Sequence, residues 1–387
     1  MMLNTTKTTW TDTWGQPLTL AGCWQCDGVF LLPPQRPLTI CPYCGQESLD
    51  ALDTAVDRPV YTQPPELLLP FTITDVNIQE NLAQFAKKTW FAPADLSPQN
   101  LLARLQPIYL PLWLVDANAQ ATWQAEMGYN YQVVSHKEAF QSGQWRTQEV
   151  RETRIRWEPR LGRLNRHYDN QMAPALEEQR LLELALGTYQ LNGIRPYRPD
   201  DLIQAAAHLP NRPPADAWTE ARESLKKIAA EECRQAAAAD HIREFRWTAD
   251  FDAQNWTQLL LPLYTTFYHD DESRVHMVFM NGQNGNLRGQ RRASMQKARR
   301  WAILIGSSAV VIFVISLLLA LLGHFREAML PWAGAGLTIA LLVGVTAVLP
   351  LLAAWYVNRF GHFYDDGQQA LAELTNVAWK AGEQPPV

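Results

Sequence analysis

Two stretches near the C-terminal end depart from the mixture of apolar and polar positions found along the rest of the chain. Trp301 to Leu322 reads WAILIGSSAVVIFVISLLLALL, and Pro331 to Val357 reads PWAGAGLTIALLVGVTAVLPLLAAWYV; neither holds a charged residue. Each is long enough to cross a bilayer as a helix. A helix that is apolar all round has no polar face to turn to water. The pattern therefore predicts a hairpin of two transmembrane helices, with Pro350 kinking the second. Gly336, Ala340 and Gly344 recur at every fourth position. Such a stripe of small residues lets another helix approach closely, either the first span or a second copy of the chain.

Upstream the pattern becomes periodic. Ile78, Leu82, Phe85 and Ala86 keep helical spacing, with Asn77 and Glu80 as a capping box. Ser97-Pro98 reads as a cap followed by Pro at the first helical position. Ile108 to Val115 reads as a strand and Asp116 to Ala119 as the turn after it. Ala121, Trp123, Ala125, Met127, Tyr129, Tyr131 and Val133 then alternate with polar residues, as a half-buried strand requires. Thr153, Ile155 and Trp157 share one face of a further strand.

Residues from about 171 to 240 read as largely helical. Leu181, Leu182, Ala185 and Leu186 mark one helix, and Trp218 to Ala239 a longer one after the Pro213-Pro214 breaker. Cys233 in that longer helix reads as a small core residue. Val275 to Met280 is a strand, and Asn281-Gly282 supplies a hairpin turn. Pro107 to Asp116 is echoed by Pro262 to Asp271, with the first Pro, the Tyr and the final Asp identical. The echo predicts two related antiparallel β units.

The cysteines add chemistry. There are five, Cys23, Cys26, Cys41, Cys44 and Cys233. The first four form two C-x-x-C pairs. Two thiolates separated by two residues bind one metal from a tight turn, and a second such turn completes a tetrahedral zinc site. Gly45 gives the second turn its backbone freedom. Val29 to Leu32 and Pro37 to Ile40 are the strands expected between the pairs. With four cysteine ligands no position is open to water, so the zinc is expected to be structural, and its binding to supply the folding energy of the segment. Arg36 is the only cation between Ala21 and Leu49, against Asp27 and Glu47, which favours protein contact over phosphate binding there.

Charge sets the topology. The net charge of -5 excludes a generally basic nucleic-acid binder. Arg288, Arg291, Arg292, Lys297, Arg299 and Arg300 precede the first span, while the loop from Gly323 to Leu330 holds Arg326 alone. The positive-inside bias places both termini and the large domain in the cytoplasm, at the inner or plasma membrane. The same basic run suits anionic lipid headgroups. Trp301, Trp332, Trp355 and Tyr356 stand where an aromatic belt is expected. No apolar core of a secretory signal follows Met1, so the first segments are expected to start in the cytoplasm. A second basic cluster, Arg151, Arg154, Arg156, Arg160, Arg163 and Arg166, lies among Trp157 and Tyr168 and is diluted by Glu152, Glu158 and Asp169. Arginines among aromatics are what a nucleic-acid groove uses.

Residues 20 to 48 resemble a zinc ribbon of the transcription-factor-IIB or primosomal type. The strand and turn from Val275 to Gly289 look like the hairpin of PepSY-type modules. Together, the ribbon, Trp90-Phe91-Ala92-Pro93, the run Ile108 to Trp113, the Asn281-Gly282 turn and the two-span C-terminus resemble a family of bacterial membrane proteins. Members of it are sometimes labelled after the primosomal helicase. That resemblance implies a topology and no activity. No G-x-x-x-x-G-K-[ST] loop exists here, which excludes a helicase, and neither H-E-x-x-H nor G-x-S-x-G occurs. His269-Asp270-Asp271-Glu272 reads as a solvated turn, and His241 and His276 have no spaced carboxylate or Cys partner.

The expected architecture is a membrane-anchored α+β chain. Residues 1–60 form the zinc ribbon. Residues 61–296 form a cytoplasmic α+β region, with a β unit at 66–170, a helical segment at 171–240 and a β unit at 241–296. Residues 297–387 form the transmembrane hairpin and a short cytoplasmic tail. The expected function is that of a non-enzymatic binding or scaffold protein with a protein partner. The alternatives are a membrane-tethered nucleic-acid binder, and an enzyme whose site is assembled from distant residues.

Overall fold

The computed structural model describes residues 13–34, 39–52, 61–141, 144–236, 238–323 and 327–360. Arg36, Arg326, the first half of the expected strand Pro37 to Ile40, and the tail beyond 360 lie outside the described residues; Thr39 and Ile40 form a bend. The protein is a mixed α/β chain in two compact units. The first comprises Met1–Pro111, Leu176–Asn211 and Leu259–Val387; the second comprises Leu112–Ala175 and Arg212–Gln258.

In the first unit, Thr19–Cys23 (β1) and Val29–Leu32 (β2) pair antiparallel, with Ala21 opposite Phe30. Leu49–Ala51 (β3) takes the other edge of β1. Leu67–Leu68 (β4) pairs with Arg195–Pro196 (β7) and runs parallel to His241–His269 (β9) at Leu259 and Leu260. Ala206–His208 (β8) pairs antiparallel with β2 and parallel with Gln106–Gln141 (β5), at Ile108 and Tyr109. Val275–Asn281 (β10) follows β9 antiparallel, and Leu287–Gly289 (β11) closes the series. The strand order is β11-β10-β9-β5-β8-β2-β1-β3.

The cysteine-bearing strands are thus part of a larger sheet. Trp14, Leu20 and Leu31 share one buried cluster with Tyr109, Leu202 and Leu260. No local pattern announces β7 or β8, which lie in the stretch expected to be largely helical. Gln179–Leu186 is a helix as expected, but the chain then makes two short 3-10 turns and both of these strands.

Asp75–Lys87 (α1) buries Ile78, Leu82, Phe85 and Ala86, the face its spacing predicts. Its cap is Thr74, whose hydroxyl accepts from the Asn77 N–H at 3.4 Å, so the expected Asn77–Glu80 capping box is one turn too late. Pro98–Ala103 (α2) is capped by Ser97 as expected. Asp95, just before it, accepts two hydrogen bonds from Arg104, at 2.6 and 3.0 Å, and one from the His269 N–H at 2.8 Å.

The turn after β9 is built around its acids. Asp270 accepts from the backbone N–H groups of Glu272 and Arg274, both at 2.9 Å, and lies 3.0 Å from His276 Nε2. The turn is solvated as expected at Glu272, Ser273 and Arg274, but the Asp270 side chain is buried within it, and His276 has the carboxylate partner its sequence neighbourhood does not show. Burial alone raises the Asp270 carboxyl, but the bonds from His276, Arg274 and Glu272 outweigh it and hold the group down at about 2. The unfolded value is near 3.9. A depressed carboxylate contributes stability that is present above the unfolded value and lost as pH falls toward the folded one. The protein is therefore expected to lose about 2 kcal/mol of stability through this group as pH falls from about 4 to about 2. Asp270→Asn should flatten that limb in chemical denaturation at stepped pH.

Met295–Gly323 (α5), Leu330–Thr346 (α6) and Leu349–Phe360 (α7) close the chain. They supply two apolar stretches of membrane-spanning length, with mean hydropathies of 2.7 and 2.4, only 11% and 17% buried. A core helix of a soluble protein would bury such a surface. The second stretch breaks between α6 and α7, and Pro350 is the second residue of α7, where its missing N–H costs little. The small-residue stripe packs on α5 of the same chain: a Cβ on Gly336 would stand 2.1 Å from Ser316 Oγ, and one on Gly344 3.9 Å from Ala309 Cβ. The base of the hairpin is tied down by polar bonds. Asn358 Oδ1 accepts from Ala293 N at 2.8 Å and its Nδ2 donates to Ala293 O at 3.0 Å. Asp271 accepts from Ser294 Oγ and Gln296 N at the start of α5, at 2.8 and 3.0 Å. The Trp90 to Pro93 run has its role here: Phe91 O accepts from Ser294 N at 2.7 Å and Ala92 O from Lys297 Nζ at 2.6 Å.

The second unit is built on a long antiparallel hairpin, β5 with Gln144–Pro174 (β6). The expected turn at Asp116 to Ala119 is absent. The strand runs through, with a bulge between Val115 and Ala117, and Asp116 accepts from the Asn170 N–H at 2.8 Å. An extra residue on one strand of a pair bends it without ending it. Pro214–Ala236, the long helix expected from Trp218 onward, lays Leu225 and Ala229 against Ala117, Ala119 and Tyr168. Cys233 is buried on this helix, as expected of a small core residue.

Candidate metal centre

Cys23 ends β1 and Cys26 lies in the turn that leads to β2, while Cys41 and Cys44 lie in the turn before β3. The two knuckles are built alike. In each, the N–H of the first cysteine donates to the carbonyl five residues on: Cys23 to Gly28 at 2.9 Å and Cys41 to Gln46 at 2.8 Å. In each, the first sulfur accepts from the N–H two residues on, from Gln25 and from Tyr43, both at 3.4 Å. The residue four after the first cysteine has positive φ in both, Asp27 at 55° and Gly45 at 71°. Gly45 meets a second demand as well, since a Cβ there would stand 2.6 Å from Met277 Sδ.

This arrangement brings all four sulfurs together, within 4.8 Å of one another. Cys23 and Cys44 are 3.6 Å apart, and Cys26 and Cys41 are 3.7 Å apart. Those spacings far exceed a disulfide bond. Zn–S bonds of about 2.3 Å in a tetrahedron need sulfur–sulfur edges of about 3.8 Å. The four thiols fit a metal ion, and the spacing is consistent with zinc. Among the described residues they form the one cluster of His, Cys, Asp or Glu with metal-holding geometry.

The electrostatics have the same logic. Hydrogen bonds from Cys26, Cys41 and Cys44 push the Cys23 thiol far below its ordinary range. Cys26 is pushed up by its bonds to Cys23, Cys41 and Cys44, and Cys41 by burial. Four thiols this close do not all ionise on their own, whereas a cation among them would favour the thiolate form of each. Ser48 Oγ lies 3.0 Å from Cys23 Sγ. His208 is buried against Phe30 and Tyr43, at ring distances of 4.6 and 5.6 Å, and belongs to the packing around the site. Its Nδ1 donates to Leu209 O at 2.7 Å. Sequence reasoning missed His208 because β2–β8 pairing, across some 180 positions, carries it there.

The other sequence candidates are dispersed. Along β6 the side chains alternate faces. Arg154, Arg156, Arg160 and Arg166 share the face of Tyr168, on which the long helix packs, while Arg151 and Arg163 share the other. The cluster is split, and five of the six are paired: Arg151 with Glu149, Arg154 with Glu152, Arg156 and Arg160 with Glu158, Arg166 with Glu232. His241 Nε2 meets Asn130 Oδ1 at 3.1 Å, and the His269 ring meets Asp95. Of the basic run before the first apolar stretch, Arg292 donates to Asn358 O and Arg291 lies over the Phe85 ring. Arg299, Arg300 and Trp301 are exposed. Comparison of the chain with protein families, curated proteins and solved structures gives no match.

Proposed function

We propose that this is a membrane-anchored protein whose N-terminal zinc ribbon is structural and which works by binding protein partners. The closed set of four thiols carries the reading. At tetrahedral spacing it leaves a zinc ion no open position for water or substrate, so the metal's contribution is to hold β1 to β3 in shape. The exposed apolar surfaces of α5 from Trp301 onward and of α6, which carry no charged residue, support the anchor. The exposed pair Arg299 and Arg300, followed by Trp301, supports an interface at the base of the hairpin with the large domain on the cytoplasmic side. Trp24, 61% exposed between Cys23 and Cys26, offers an aromatic contact of the kind protein interfaces favour. The ribbon at residues 20–48 and the resemblance to bacterial two-span membrane proteins belong to the same proposal.

The test is co-purification from native membranes with and without nuclease, paired with labelling of single cysteines placed in the hairpin loop and before α5. A nuclease-resistant protein partner and loop labelling from the outside alone are expected. Capture of nuclease-sensitive nucleic acid alone, or labelling of the loop from the cytoplasmic side, would overturn the reading.

A further inference from the structure

In the second unit the sheet face opposite the long helix Pro214–Ala236 carries an open depression of about 420 Å³. It is lined by residues of three strands, β6, β5 and β9. Arg163 of β6 stands opposite Thr122 of β5 in the register, and the Thr122 hydroxyl meets the Thr248 hydroxyl of β9 at 3.1 Å. One step along, Leu161 stands opposite Gln124, with Arg246 on β9 beyond it. The two arginines therefore occupy diagonal corners two strands apart, about 12 Å on the sheet lattice. Flexible side chains of that length reach a common point between them.

Their pairing distinguishes these two arginines from their neighbours. The other arginines of β6 discussed above each have a carboxylate, and Arg243 of β9 has Glu126. Arg163 and Arg246 have no ion pair among the described residues, and both are exposed. Between them lie two hydroxyls and an amide, all able to donate to an anion, and no carboxylate. Leu161 is 84% exposed beside them, an apolar surface at the rim of a charged depression. Carboxylates bound the positive region along the strands. Glu126 is held by Arg243 on one side, and Asp250, two residues past Thr248 on the same face, lies on the other. A long polyanion would meet those acids, whereas a single oxyanion group would not.

We propose that this depression binds a small organic oxyanion, a phosphate or carboxylate group carried on an apolar body. The guanidinium groups of Arg163 and Arg246 clamp the anion. Thr122, Thr248 and Gln124 donate to its remaining oxygens, and Leu161 supports the apolar part. The site is separate from the metal-holding segment, and the proposal stands or falls independently of the zinc and membrane readings.

The test is saturation-transfer NMR on the full chain in a nonionic detergent, with phenyl phosphate and benzoate as probes. Binding of either probe is expected, the preferred one naming the oxyanion. Arg163→Gln and Arg246→Gln should each weaken it about 10-fold, the worth of one charge-assisted hydrogen bond. Arg160→Gln, on the opposite face, should leave it unchanged. These are exposed side chains, and an unchanged circular-dichroism melting curve verifies that each variant folds. Equal signal from wild type and the Arg163→Gln/Arg246→Gln double variant would overturn the proposal. So would binding confined to long single-stranded oligonucleotides with steep salt dependence.

Discussion

Cys41→Ser is expected to release the metal and to loosen β1 to β3 by at least about 4 kcal/mol, a loss at the extreme end for one substitution. Cys41 is 1% exposed and its sulfur closes one edge of the thiol cluster, 3.7 Å from Cys26. In small isolated zinc modules the metal supplies about 10–16 kcal/mol, and the apo form is unfolded. Here the loss should be smaller, because β2 is bonded to β8 and shares a core with Tyr109 and Leu260. The expectation that metal alone folds this segment therefore gives way to a graded one. The knuckles should lose hydrogen-exchange protection completely. Leu209 N, which donates to Val29 O at 2.8 Å, should lose part of its protection, and α5 and α6 should lose none. Metal analysis with hydrogen exchange measures both effects, and retention of one metal per chain by the variant would show the ligand set to be wrong.

Gly336→Leu is expected to force α6 away from α5, while Gly334→Leu, one position to the other side of Ala335, should be tolerated. The Cβ of a residue at 336 would stand 2.1 Å from the oxygen of Ser316, which is 2% exposed and has no room to retreat. At Gly334 nothing lies within 4 Å. Overpacking of this kind costs about 1–3 kcal/mol or more. Ser316→Gly removes the atoms in the way and should recover most of the loss in Gly336→Ala. Thermal unfolding in detergent checks the set. Equal tolerance at 334 and 336 would mean that the two helices meet on other faces.

The legible parts of the chain were those fixed by near neighbours. The apolar runs of α5 and α6, the two knuckles, the Ile78 to Ala86 face and the Ser97 cap all follow from periodicity or from residues within one turn. What stayed hidden depends on distant partners. Asp95 looks like any loop acid until Arg104 and His269 close on it. His276 appears alone until the turn brings Asp270 to it. β8 is three residues long, too short for any pattern to mark, yet it joins the cysteine-bearing strands to β5. Asp116 carries a turn-forming signal, and the pairing of β6 across it converts the turn into a bulge. The arginine cluster fails for a simpler reason: linear proximity ignores the period of two, and the strand sends Arg163 to one face and Arg160 to the other.

Membrane anchoring and one structural zinc ion are proposed of the same chain, and one preparation tests both. The most direct test is the zinc content of the full chain recovered from carbonate-washed membranes. One zinc per chain, in a pellet that only detergent dissolves, is the predicted result. A folded chain released by carbonate, or a membrane-bound chain with intact β1 to β3 and no zinc, would contradict it.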